Sequence, residues 1–336
     1  MSRVTDERQA AFAVLRRTFE KDEFTEVAFR DEAERRGLEG RSRAQAQRLA
    51  YGSVQRKGSS DALVHGFQKK GGRRPLPPVM AALRLGMYEI LFADATPDHA
   101  AVDQAVSLVR EAGADHAAGF VNAILRRTLR ERDQVTARLA DDSTMKAAAV
   151  AHSAPGWLVE LWWKELGPER ARALLAANNR PAERGVRVNT LRTTPDEVIA
   201  SLTSEDLELT PAEGPWPLAP PELLIARGSS AAVEEAASAG LVVSQSRGSA
   251  AVVEALDPRP NERVLDLCAG PGIKSGQVAA RIGHLGNMVS VEPDEERAAD
   301  IAEQLQRLGV HNGLVIEAAA RQAVLKGEVD RVLAAA

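Results

Sequence analysis

Apolar positions recur at helical spacing through the first third of the chain. Ala10, Ala13, Val14 and Leu15 begin the stripe, and others run through Leu49 to Val64, Val79 to Leu91, Ala101 to Val109 and Phe120 to Leu129. An all-α bundle from Asp6 to Arg132 is therefore expected. Pro75, Pro77 and Pro78 end one helix and start the next, and Ala95-Thr-Pro-Asp-His99 supplies a cap and a proline for another. Residues 133–155 read as a linker, in which Asp141-Asp-Ser-Thr144 is a helix-start cluster before an Ala-rich run. Ser153-Ala-Pro-Gly-Trp157 then opens a helix carrying Leu158, Leu161, Trp162 and Leu166. On such an amphipathic helix, Trp157, Trp162 and Trp163 are read as core rather than as base-stacking platforms.

The pattern changes in the second half. Gly185-Val-Arg-Val-Asn-Thr-Leu191 alternates as a strand does, and Thr194-Pro-Asp-Glu197 supplies an N-cap, an N1 proline and an acidic first turn for a helix over Val198 to Leu202. Pro211, Pro215, Pro217, Pro220 and Pro221 mark an irregular connector unsuited to a regular ladder. A sheet of parallel type is expected to begin at Gly240-Leu-Val-Val-Ser-Gln245. It continues with strands at Val264, Met288, Gly313 to Ile316 and Val329 to Leu333, with helices after Lys274 and over Glu295 to Leu308. Alternation of this kind builds a doubly wound parallel α/β sheet, with ligands at the carboxyl ends of its strands.

One turn of that sheet stands out. Val264 to Leu267 runs into Gly270-Pro-Gly272, and a helix leaves near Lys274. Glycines there let the backbone lie against a ligand. The third glycine of a dinucleotide fingerprint and the Lys-Ser spacing of a phosphate loop are both absent, which argues against a pyrophosphate. Met288-Val-Ser-Val-Glu292 ends about twenty residues further on in a carboxylate suited to ribose hydroxyls. An adenosyl ligand without phosphates fits both features, and S-adenosylmethionine is the obvious one.

At 336 residues and 44% hydrophobic, the chain has material for two or three globular domains. A single cysteine excludes an internal disulfide, and six histidines scattered without ligand spacing argue against structural zinc, so no metal is expected. No signal peptide or membrane-length apolar run is present, and a cytoplasmic, non-membrane protein is the expectation. Residues 1–140 carry 24 Lys and Arg against 19 Asp and Glu, net +5, whereas residues 141–336 carry 19 against 28, net −9. Arg41, Arg43, Arg48, Arg56, Lys57, Lys69, Lys70, Arg73 and Arg74 face a single acid in that interval, Asp61. A phosphate-backbone footprint and a solvated helix face both fit this charge.

Asp266-Leu-Cys-Ala-Gly-Pro-Gly-Ile-Lys-Ser275 resembles the Asp-x-Cys-Ala-Ala-Pro-Gly-Gly-Lys-Thr loop of the RNA cytosine-C5 methyltransferases of the Sun or RsmB group. It departs at Gly270, Ile273 and Ser275, and Ile273 places a branched side chain where the family has a backbone-only position. Arg84-Leu-Gly-Met-Tyr-Glu-Ile-Leu91, Ala101-Val-Asp-Gln-Ala-Val106 and Gly119-Phe-Val-Asn-Ala-Ile-Leu-Arg-Arg127 resemble the NusB-type RNA-binding domain that this group carries at its N-terminus. Arg187-Val-Asn-Thr-Leu191 resembles the small α/β subdomain before the catalytic sheet, on its RNA-facing side.

The resemblance implies a NusB-like all-α RNA-binding domain over 1–138, a linker helix with a small α/β subdomain over 139–235, and an incomplete Rossmann-like methyltransferase domain over 236–336. It implies S-adenosylmethionine held by Cys268, Ala269, Gly270, Pro271, Gly272, Ile273, Lys274 and Glu292, with Ala319 standing where the family has an adenine-binding aspartate. The RNA partner would be small-subunit ribosomal RNA, contacted by the basic residues above with Arg126, Arg127 and Arg187. In the family a cysteine thiolate adds to cytosine carbon 6 to activate carbon 5, and a second cysteine assists elimination. Both lie in segments after Ala336, and Ala335 stands at a family aspartate. No catalytic residue is therefore assigned and the polypeptide is expected to be inactive alone: either it is a fragment or decayed copy of a longer enzyme, or a partner covers its last strand. The apolar edge at Val329 to Leu333 is expected to pair with another chain or to self-associate. The alternative is a non-catalytic RNA-binding module with a vestigial methyltransferase half.

Overall fold

The computed structural model describes residues 4–68, 72–93, 97–229, 231–323 and 327–335. The chain forms two units, residues 1–180 and 181–336.

The first unit is helical: α1 (Asp6–Glu20), α2 (Thr25–Arg35), α3 (Gly40–Gln55), α4 (Lys57–Phe67), α5 (Pro77–Leu91), α6 (Asp98–Glu111), α7 (Ala118–Arg130), α8 (Arg132–Ala140), α9 (Met145–Ala151) and α10 (Gly156–Asn178). Leu15, Leu49, Leu83, Leu85, Met87, Leu108 and Leu125 are fully buried in its core. Helix α5 begins on Pro77-Pro78 and is buried along most of its length, as a helix apolar nearly all round must be. A methyl group built on Gly86 would lie 2.7 Å from Leu125 and 3.3 Å from Ala105, so this glycine sets the close approach of α6 and α7.

Polar ties cross the bundle. Arg8 Nη2 lies 2.7 Å from Glu89 Oε1, both side chains buried, and Arg84 grips Asp61 through Nε at 2.7 Å and Nη2 at 2.8 Å. The linker region is ordered: Thr144 caps α9 by accepting from the Ala147 N–H at 3.2 Å. Helix α10 kinks at Gly167-Pro168. Trp162 and Trp163 pack on a small core with Ala148, Val159 and Leu175, as expected, but Trp157 is 67% exposed because it lies in the helix's first turn. Of the cap and proline expected over 95–99, Ala95 and Thr96 lie outside the described residues, and Pro97 is the N-cap residue of α6.

The second unit holds two sheets. Its strands and helices are β1 (Arg184–Val188), α11 (Pro195–Leu202), β2 (Leu207–Pro211), β3 (Leu223–Gly228), α12 (Ala231–Ser238), β4 (Val242–Ser244), α13 (Arg247–Leu256), β5 (Arg263–Asp266), α14 (Ile273–Ile282), β6 (Asn287–Glu292), α15 (Glu295–Arg307), β7 (Gly313–Glu317) and β8 (Arg331–Leu333). The order β2-β3-β1-β4 is antiparallel throughout, and β7-β6-β5-β8 is parallel. Thr194 is the expected N-cap of α11, and with Glu197 it forms a capping box.

Two expectations are corrected here. The strand at Gly240 to Gln245 does not begin the parallel sheet: β4 pairs antiparallel with β1, Val186 opposite Ser244 and Val188 opposite Val242. A buried Val-Val step reads alike in either sheet, and only pairing tells them apart. The proline-rich stretch is also flanked by ladder, since Pro211 ends β2 opposite Leu224. Strand β2 is an edge, where a proline's missing N–H costs no pairing. The region 139–235 is divided between the units, α9 and α10 falling in the first and β1, α11, β2 and β3 in the second.

Candidate functional site

The carboxyl ends of β5, β6 and β7 meet at the glycine turn. Gly270 (φ 54°) and Gly272 (φ 77°) both take left-handed backbone, and they do so for different reasons. A methyl group built on Gly270 would meet nothing within 4 Å, so its Cα faces open space; on Gly272 it would lie 3.2 Å from Ile301 on α15. The first glycine bares the turn and the second lets α15 close under it.

Asp266 braces the turn from beneath. Its Oδ1 accepts from the Cys268 N–H at 3.2 Å and its Oδ2 from the Ser275 hydroxyl at 2.8 Å. Burial pushes the Asp266 carboxyl upward, against the Ser275 hydroxyl, the Cys268 N–H and the Lys274 charge. The strands hold the rest: the Ala269 N–H donates to the Val291 carbonyl at 3.1 Å, and the Gly272 N–H to the Ala269 carbonyl at 2.9 Å.

Glu292, at the end of β6, joins the two arms. Its Oε2 accepts from the Gly270 N–H at 3.1 Å and its Oε1 from the Asp294 N–H at 3.3 Å, with Arg297 Nη1 at 3.9 Å. Gly270 and Glu292 thus lie on one side of the sheet, as an adenosyl pocket requires. Ile273 packs on the core that contains Val278 and Ile301, and Lys274 Nζ donates to the Ala335 carbonyl at 3.2 Å. Cys268 is half-buried, and Pro271 is exposed at the tip of the turn. Ala319 follows β7 and precedes a short 3₁₀ turn, offering no side-chain acceptor. The donors and acceptors at Gly270 and Glu292 fit the ribose side of an adenosyl group, and Ala319 offers no carboxylate for its adenine amino group.

The basic residues divide by environment. Arg41, Arg48, Arg73, Arg74 and Arg126 are exposed. Arg43, Arg56, Lys57 and Arg127 instead lie over the rings of Phe29, Phe92, Phe19 and Phe67, at 5.5, 4.7, 5.7 and 4.5 Å. Lys57 also faces Asp61 at 3.3 Å, Arg127 pairs with Glu131 at 2.8 Å, and Arg126 is held by Asn122 at 2.8 Å. Lys69 and Lys70 lie outside the described residues.

Arg187 is corrected outright, because it is fully buried and so forms no part of an exposed phosphate footprint. Its Nε donates to Gln245 Oε1 at 2.6 Å, Gln245 Nε2 donates to Gln277 Oε1 at 2.6 Å, and Gln277 Nε2 reaches Glu222 Oε1 at 2.9 Å. This relay ties the antiparallel sheet to α14, the helix that leaves the glycine turn. Strand alternation sets Arg187 on the face opposite Val186 and Val188, which pack in one core, and that second face is buried as well. The relay's partners, Gln245, Gln277 and Glu222, carry no sequence signal, since each lies on a different element.

Among the described residues no helix is long and apolar enough to cross a membrane, and no three His, Cys, Asp or Glu side chains converge as a metal site needs.

Comparison with known proteins agrees with this layout. The NusB family model matches residues 5–130, the ferredoxin-like domain of the RsmF/B-like methyltransferases matches 154–215, and the 16S rRNA methyltransferase RsmB/F model matches 253–336. A probable ribosomal RNA small subunit methyltransferase B from Synechocystis is 29% identical over 328 residues, 97% of this chain and 72% of the relative. One of the same description from Bacillus subtilis is 28% identical over 335 residues, covering 98% and 72%. The crystal structure of PH0851 superposes with a TM-score of 0.68 at 21% identity, over 96% of this chain and 71% of that one, a likeness of fold. In chain order, then, a NusB domain is followed by the ferredoxin-like and methyltransferase domains of RsmB/F type, the last of them holding the turn of Gly270 and Glu292.

Proposed function

We propose that the glycine turn binds S-adenosylmethionine and that the family reaction served by this fold is methylation of cytosine carbon 5 in small-subunit ribosomal RNA. The observation that carries the reading is the Gly270 N–H bonded to the Glu292 carboxylate at 3.1 Å, which brings the bare backbone and the acid together at the carboxyl ends of β5 and β6. Cys268 to Lys274 lie along the cofactor through their backbone, and Glu292 takes the ribose hydroxyls on its remaining lone pairs. The first turn of α14 presents free N–H groups that favour negative charge on the ligand. Bound there, the cofactor supplies an electrophilic methyl sulfonium. The helical unit docks the RNA through Arg41, Arg48, Arg73, Arg74 and Arg126.

These 336 residues contain one cysteine, Cys268. Its place in the turn, braced by Asp266 rather than beside a base, suits a backbone contact and not a nucleophile. A polypeptide of this sequence alone is accordingly expected to bind cofactor and RNA and to transfer no methyl group. Calorimetry with S-adenosylmethionine should give saturable heat in the wild type and in Cys268→Ser, and none in Gly272→Val, whose side chain meets Ile301. Absence of heat at millimolar ligand in the wild type would sink the cofactor reading, and 5-methylcytosine in incubated ribosomal RNA would sink the claim of inactivity. A second reading, an RNA-binding module with a vestigial methyltransferase half, is favoured by Ala319, and the same calorimetry separates the two.

A further inference from the structure

Among the described residues, three hollows on the helical unit differ in the state of their cations. In the one between α1, α2 and α6, Arg16 pairs with Glu20 at 2.7 Å, Arg17 with Asp31 at 2.7 Å and Arg36 with Glu32 at 3.4 Å, so each of its three guanidinium groups already has a carboxylate, and Lys21 is its one other cation. In the second, between α1 and α5, Lys57 and Arg84 share Asp61 at 3.3 and 2.7 Å, while Arg74 and Leu76 line this hollow and the third alike.

The third hollow is built otherwise. Its volume is about 550 Å³, and it is lined by Arg73, Arg74, Leu76, Val79, His116 and Phe120 among others. Arg73 and Arg74 are both exposed. Among the described residues neither guanidinium has an ion pair or a side-chain hydrogen bond. Leu76 is 52% exposed beside them, and Phe120 is partly buried, its ring seated on the core. Unpaired guanidinium groups at the rim with an aromatic and aliphatic floor match a phosphodiester strand whose bases turn inward. The volume falls within the range of ligand clefts, roughly 300–1,000 Å³, room for a nucleotide or two.

We infer that single-stranded RNA docks in this groove, its phosphates on Arg73 and Arg74 and a base against Phe120 and Leu76. The inference rests on the RNA-docking role proposed above and assigns it a place. A duplex keeps its bases stacked inside and presents no face to Phe120, so the groove selects unpaired segments of the RNA.

The test is fluorescence anisotropy of a labelled uridine dodecamer with the 336-residue chain across a salt series. The wild type should bind with affinity that falls linearly against log salt. Joint Arg73→Ala and Arg74→Ala, both at exposed positions, should lower affinity about tenfold and flatten the slope by about 1.4, at roughly 0.7 per phosphate contact on a single strand. Phe120→Leu, which keeps the core filled, should lower affinity about fivefold with the slope unchanged. Unaltered binding by either variant, beside a salt-dependent wild type, overturns the groove and leaves RNA docking elsewhere on the unit intact. A wild type that binds no dodecamer removes both. Equal affinity for a duplex, or displacement of the dodecamer by polyglutamate at matched charge, overturns the choice of single-stranded RNA.

Discussion

Arg8 in the helical unit and Arg187 in the sheet unit are both buried, and they are held in opposite ways. Arg8 meets the buried Glu89 carboxylate through Nε at 3.0 Å and Nη2 at 2.7 Å. Arg187 meets only the Gln245 amide oxygen, at 2.6 Å, while its Nη1 and Nη2 lack partners among the described residues. The nearby carboxylate is engaged elsewhere, since Glu222 takes Arg281 at 3.0 and 3.1 Å. Desolvation pulls the Arg187 guanidinium down to about 10, with Glu222 opposing that pull. The pair therefore separates two uses of a buried charge. Arg8 closes a cross-bundle bond whose loss strands its partner, and Arg187 anchors a polar relay at a desolvation cost that its own contacts offset only in part.

Breaking the first arrangement should have the largest effect. Glu89→Ala strands Arg8 and is expected to cost about 3–5 kcal/mol, read as a lower urea midpoint at unchanged m-value. Arg187→Met removes one hydrogen bond together with the cost of burying a charge, and its expected change stays within about 1.5 kcal/mol of wild type. A loss as large as that of Glu89→Ala would erase the contrast.

Asp266 is the intermediate case, a buried acid with two donors and no bonded cation. Burial raises its pKa in the folded protein, so the folded state binds the proton more tightly than the unfolded one. Wild type should then gain stability relative to Asp266→Asn as pH falls through the folded pKa, and hold no such gain well above it. Denaturant midpoints at acid and neutral pH would show the opposite order if the carboxylate were favoured by its donors. The smallest effect is expected at Trp157, exposed on α10, where Trp157→Ser should stay within about 0.5 kcal/mol.

The local devices were legible in the sequence, because each is written in adjacent residues. Thr194 and Pro195 announce the start of α11, Pro77-Pro78 the start of α5, and Gly270 and Gly272 a turn needing positive φ. The acid at Glu292, one strand over, came from the same local rule. Pairing was not legible. The three residues of β4 and the run Leu223 to Ala226 in β3 carry hydrophobicity without saying which neighbour they take. Charge also misled where burial decided, since nothing beside Arg187 in the chain forecasts a glutamine 58 positions away as its partner.

Glu292 spends one oxygen on Gly270 and the other on Asp294. Substituting it releases the bend and the start of α15 together with any hydroxyl contact, so lost affinity in such a variant confounds a deformed cradle with a missing handle. Ala319, with no tie to the bend, is the cleaner lever: installing an aspartate there adds an acceptor while leaving the cradle's shape alone.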